Sequence, residues 1–163
     1  MLYVFLTLFA AAIVALDQWT KALAAAQLTD TVQVLIPGWL QLHYRTNDGM
    51  ALSMLSGARW LFVAIAVVFV GLVVWAVAKK HITKKPELWL IAAIVGGAVG
   101  NLIDRVRTGQ VIDMICVPWF STFNVADIFI TVPAVLLVLY ILIWDKEFLS
   151  DKPKQDQRDD PSA

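Results

Sequence analysis

One cysteine, Cys116, stands among 163 residues, so no internal disulfide framework holds this chain. Charge is also scarce: 16% of residues are Asp, Glu, Lys or Arg, and 13 basic side chains are balanced by 13 acidic ones. Without a basic excess the electrostatic footprint of a nucleic-acid binder is missing. Only two histidines are present, His43 and His81, and no HExxH pattern, so a histidine-based zinc site has no support. Cys116 has no histidine near it in sequence and reads as a small apolar filler, and Ser56-Gly57 lacks the elbow of a serine hydrolase. No Lys or Arg precedes the first apolar run, which argues against a cleaved signal peptide there, although small residues at Ala24 to Ala26 follow it.

What the chain has instead is hydrocarbon. At 60% hydrophobic residues it is too apolar for an ordinary soluble domain, and it reads as a single multi-span membrane unit. Residues 2 to 16, LYVFLTLFAAAIVAL, continue through Asp17, Gln18 and Trp19 toward Leu28, long enough for a first span. A second span runs from Trp60 to Ala78 without a charge, a third starts near Leu88, and a fourth runs from about Val125 to Trp144. KKHITKK, residues 79 to 85, puts four lysines into one loop and marks the cytoplasmic side. Both termini are then cytoplasmic. Between the first two spans, Val32, Val34 and Ile36 alternate, Pro37-Gly38 makes a turn, and Leu40, Leu42 and Tyr44 alternate again, the pattern of a β-hairpin. RTNDG, residues 45 to 49, reads as a polar loop after it. The expected fold is an all-α membrane protein, four transmembrane helices with a small extracytoplasmic β element at about 30–55 between helices 1 and 2. Residues 1–146 form one domain and 147–163 a disordered cytoplasmic tail.

Ionisable groups inside such a chain are costly and mark function. The stretch Gly96 to Asp127 carries most of them, and the topology brings Asp113 and Asp127 to the same, outer side of the membrane. A short re-entrant or interfacial segment around Pro118 folds them together. Two carboxylates held close share one proton, which supplies a base for water and an acid for a carbonyl oxygen or departing amine. The plainer roles are an interfacial loop residue for Asp113 and a helix N-terminal acid for Asp127. Asn101 and Arg105, four apart, share a helix face on which Arg105 clamps a substrate carbonyl or lipid phosphate, or else snorkels to headgroups while Asp104 pairs with an arginine. Asn124 is either an N-cap or an orienting amide, and both roles are compatible. Asp17 and Lys21, also four apart, read as a structural ion pair that pins the first helix to the β element. Gly96 and Gly100 form a GxxxG packing pattern with Gly97 between them. A proton relay or transporter uses intramembrane acids too, but spreads them through the membrane depth, and a non-catalytic scaffold uses its polar groups for helix association.

In order along the chain stand DQWTK (17 to 21), NDGMALS (47 to 53), GGAVGNLIDR (96 to 105), GQVIDMI (109 to 115) and FNVAD (123 to 127). With these blocks the sequence resembles the lipoprotein signal peptidases of bacteria, signal peptidase II, four-span aspartyl proteases. The resemblance implies that Asp113 and Asp127 are the catalytic dyad. It implies too that Asn47, Gly49, Gly97, Asn101, Arg105, Asn124 and Ala126 line or support the pocket, and that Asp17 and Lys21 are the first-helix motif. Met50 and Leu52 depart from the family's usual Ala and Phe. The implied substrates are prolipoproteins carrying a diacylglyceryl-modified cysteine, cleaved on the amino side of that cysteine by a monomeric enzyme among membrane lipids. It works in the bacterial cytoplasmic (inner) membrane, near the outer face, with no cofactor and no metal.

Overall fold

The computed structural model describes residues 1–48 and 58–144. Expectations for Gly49, for the rest of the NDGMALS block and for the 147–163 tail lie outside them. The element order is α1 (Leu2–Gln27), β1 (Gln33–Ile36), β2 (Leu40–Asn47), α2 (Arg59–Ala78), α3 (Lys85–Arg107), β3 (Val111–Val117), β4 (Ser121–Phe123) and α4 (Val125–Trp144). All four helices are long and apolar enough to cross a membrane. Their surfaces agree: Trp60, Leu61, Ile65, Val67, Val68, Leu72, Val74 and Trp75 of α2 are all exposed, an apolar area that water would not tolerate.

α3 is the hub and packs against α1, α2 and α4. Its composition explains why, since small residues let neighbouring backbones approach. A Cβ at Gly96 would come within 2.9 Å of the Ala10 carbonyl oxygen in α1, and one at Gly97 within 2.5 Å of the Ala126 carbonyl oxygen in α4. At Gly100 it would meet an Asp17 carboxylate oxygen at 2.6 Å. The three glycines thus seat three different partners. Gly97→Val is expected to push α4 off α3 and to cost about 1–3 kcal/mol, as overpacking does. An unchanged unfolding temperature in detergent would show that α4 has room to yield there.

The sheet contains more than the hairpin expected between α1 and α2. Its order is β1-β2-β3-β4, all antiparallel, so the segment between α3 and α4 contributes half the strands. Two readings are corrected. VIDMICV around Asp113 is strand β3, and Pro118 lies in the turn to β4, so of the re-entrant or interfacial segment expected there the re-entrant form is replaced by a strand and turn. The apolar run has β-branched residues at Val111, Ile112, Ile115 and Val117, and it follows Gly109, whose positive φ of 85° suits a turn. Arg45 to Asn47 likewise belong to β2, because β3 offers them a ladder: Arg45 stands opposite Asp113 and Asn47 opposite Val111.

Chain direction then dictates where the polar groups gather. α1 and α3 end at the sheet while α2 and α4 start from it, so all the polar helix ends there face one layer. Met114 of β3 packs with Ala24 and Leu28 at the end of α1, with Leu42, Tyr44, Ile112 and Ile115 around them. That small core fixes β3 over the bundle and turns Asp113 inward.

Candidate active site

Asp113 is 4% exposed, an unusual place for a carboxylate. Its two oxygens are both engaged: one accepts from the Asn47 amide at 3.1 Å, the other from the Asn124 amide at 2.7 Å. Burial, with the nearby Asp127 carboxylate adding to it, pushes its pKa up from 3.8 to about 6, against the hydrogen bonds from the two amides and the field of Lys21.

Asp127 lies in the first turn of α4 and owes its position to a capping box. The Asn124 side-chain oxygen accepts the Asp127 backbone N–H at 2.9 Å, and an Asp127 oxygen accepts the Asn124 backbone N–H at 3.2 Å. The other Asp127 oxygen accepts from the Asn101 amide at 2.8 Å. Asn124 is fully buried. It caps α4 and its NH2 group reaches Asp113 and, at 3.1 Å, the side-chain oxygen of Asn101.

Beneath the two asparagines is a buried ion cluster. Lys21, 2% exposed, places its three ammonium donors on Asp17 at 2.8 Å, Asp104 at 2.7 Å and the Asn101 side-chain oxygen at 2.9 Å. Lysine has no fourth donor, so its hydrogen-bonding capacity is used in full. Asp17 also accepts the Ala126 backbone N–H at 2.9 Å, while Asp104 accepts the Ile112 backbone N–H at 3.3 Å and the Gln18 amide at 2.9 Å. One cluster thus ties α1 to α3, to the start of α4 and to β3. The pair Asp17 and Lys21 was expected to pin helix 1 to the β element, but its main anchors are helices α3 and α4. Asp104, one of whose readings was as an arginine partner, contacts Lys21 at 2.7 Å and also lies in the field of Arg105.

Asn47, Asn101, Asn124, Asp113 and Asp127 are thus brought together directly, with Lys21 and Asp17 behind them and Gly97 and Ala126 at the α3–α4 contact. Arg105 lies in the field of Asp127, Asp113 and Asp104, and its guanidinium carbon is 5.0 Å from the centre of the Phe62 ring. A cleft of about 390 Å³ opens beside Asp113, lined among others by Arg45, Thr46, Asn47, Cys116 and Phe120. Gln18 and Asp104 were missed as supporting residues. Their signal was present, since Gln18 lies in the DQWTK block and Asp104 in GNLIDR.

The raised pKa of Asp113 has a consequence for stability. Between about pH 4 and 6 the folded chain keeps a proton that the unfolded chain has released, so stability falls as pH rises through that window and then levels off. Asp113→Asn, which cannot ionise, is expected to gain on the wild type by on the order of 1–3 kcal/mol between pH 4 and 7. Unfolding temperatures of the two proteins across that range check it; parallel curves would mean that Asp113 titrates as an ordinary carboxyl.

A family model described as "Signal peptidase (SPase) II" matches residues 9–143. The lipoprotein signal peptidase of Symbiobacterium thermophilum is 37% identical over 140 residues, 82% of this chain and 91% of that protein. That of Listeria monocytogenes serotype 4b is 36% identical over 152 residues, 90% of this chain and 97% of that protein. A bacterial membrane enzyme solved by the in meso method at 2.3 Å resolution superposes with a TM-score of 0.79 at 30% identity, covering 91% of this chain and 93% of that one. A second, solved by the same method at 1.9 Å, gives 0.76 at 31% identity, covering 86% and 94%.

Proposed function

The chain belongs to the signal peptidase II family and is a multi-pass membrane protease, and from that premise we propose an aspartyl endopeptidase acting on diacylglyceryl-modified prolipoproteins. Cleavage falls on the amino side of the lipid-modified cysteine. The observation that carries this reading is the amide bridge between two acids from different elements. Asn124 donates to Asp113 at 2.7 Å and to Asn101, which donates to Asp127 at 2.8 Å.

The chemistry follows from the surroundings of each acid. Asp127, half-buried, takes a proton from water as the water oxygen bonds to the scissile carbonyl carbon. Asp113, with a pKa near 6, gives its proton to the carbonyl oxygen and stabilises the charge developing there. When the C–N bond breaks, the proton taken by Asp127 passes to the departing cysteine amine, one hydroxyl proton of the gem-diol returns to Asp113, and the signal peptide leaves as a carboxylic acid that ionises in water. No metal enters this scheme. Arg105, facing both acids, holds a substrate carbonyl, while Asn47 sets Asp113 from the cleft side.

The lysines between α2 and α3 support a cytoplasmic position for that loop, with the sheet, Asp113 and Asp127 at the outer face of the cytoplasmic membrane. A lipid-bearing peptide reaches such a site laterally from the bilayer. The test uses purified enzyme in liposomes with one precursor, with and without its diacylglyceryl group, and mass spectrometry of the products. Release of the signal peptide from the lipid-modified form alone, undiminished by chelator, is expected. Proton flux across the liposomes without proteolysis would support a relay instead.

A further inference from the structure

The buried cluster under the acids has a directional logic of its own. An ammonium group only donates, so whatever faces Lys21 must present an acceptor. Asn101 is such a neighbour, and of the two ways round its amide can lie only one puts the carbonyl oxygen on Lys21, at 2.9 Å. The NH2 group must then point the opposite way, and there it meets Asp127 at 2.8 Å. With the amide reversed, Lys21 would face an NH2 group and Asp127 would face a carbonyl, two repulsive contacts in place of two attractive ones. Asn124 makes the second, neutral donation to the same Asn101 oxygen, and its own orientation is set independently by the cap on α4. The lysine's contact is the charge-assisted one and the stronger.

We infer that Lys21 is a positioning residue for proteolysis, acting through Asn101 to hold a hydrogen-bond donor on Asp127. This rests on the dyad reading above and deepens it. Lys21 does not touch substrate. It fixes the polarity of the amide that does the work, and so keeps the Asp127 oxygen that accepts from Asn101 anchored while the carboxylate exchanges protons. The same side chain neutralises charge between Asp17 and Asp104, so a structural role must be told apart from this one.

A double-mutant cycle separates them, because a residue acting through another loses its effect when the intermediary is gone. Lys21→Met, Asn101→Leu and the double variant are assayed for kcat, KM and unfolding temperature in detergent. Lys21→Met is expected to lower kcat at least about tenfold with KM nearly unchanged, and to lower it less than about twofold further in the Asn101→Leu background. Its penalty in unfolding temperature is expected to persist in both backgrounds, because the contacts with Asp17 and Asp104 remain in each. Equal kcat losses in both backgrounds, or none in either, would overturn the inference and leave Lys21 a charge partner only.

Where Lys21→Met does not fold, Lys21→Met with Asp17→Asn keeps the cluster's net charge at the original −1 (one positive and two negative charges before, one negative after) and retains an acceptor for the Ala126 N–H. A measurement on the wild-type fold needs no folded lysine variant at all. In chain labelled with 15N-asparagine, the Asn101 side-chain NH2 resonances are expected to move on Asp127→Asn, and resonances that stay put would overturn the inference. Asp113→Asn, run beside these, reports on the dyad itself. Its full activity would sink the dyad reading, whereas an inactive Asp113→Asn with an additive cycle sinks only the role of Lys21.

Discussion

Asp113→Asn and Asp127→Asn are each expected to lower cleavage of a diacylglyceryl-modified precursor by at least about a thousandfold, with the chain still folded and precursor still bound. Asparagine keeps the shape and one acceptor oxygen, so the amide of Asn124 at position 113, or of Asn101 at 127, keeps a partner. What it removes is the ability to take or give a proton. In the proposed mechanism the acids act on one water and one carbonyl, so the double variant is expected to be little worse than either single one. A variant pair whose losses multiply would mean two independent contributions.

The second large effect concerns stability. Asp17→Leu is expected to cost about 3–5 kcal/mol, the usual result of removing one partner of a buried ion pair. It strips Lys21 of a contact at 2.8 Å and leaves the buried N–H of Ala126 without the acceptor that holds it at 2.9 Å. Asp17→Asn keeps an acceptor for Ala126 and is expected to be much milder. Unfolding temperatures in detergent measure both. Similar, small losses in the two variants would show that the cluster is not what joins α1 to α4.

Much of this was readable before any coordinates because the membrane simplifies the sequence problem. In a chain this apolar, four runs of hydrocarbon mark the four long helices, and an acid anywhere near a span is conspicuous. Asp113 and Asp127 stood out for that reason, as did Asn124 for its place before an apolar run. The strands around Asp113 did not stand out, since a short apolar segment beside a membrane reads equally well as a re-entrant piece. Only the ladder with β2, through Arg45 opposite Asp113, decides for a strand. The Lys21 partner of Asp104 escaped notice for a related reason. Its arginine neighbours are visible in sequence, whereas Lys21 approaches it from another helix, 83 positions away, once Gly100 lets α1 in close. The glycines announced close packing but not their three separate partners, which depend on the direction each faces around α3.

The account stands or falls on Asp113 and Asp127 holding one exchangeable proton between them in the folded protein. Infrared spectroscopy of the wild type in a lipid bilayer, subtracted from Asp113→Asn and from Asp127→Asn across the pH range, counts that proton directly. A single protonated-carboxyl band that fades as pH rises through about 6 and is missing from Asp113→Asn is the result predicted here. A spectrum in which Asp113→Asn leaves the protonated-carboxyl region unchanged at every pH would contradict it.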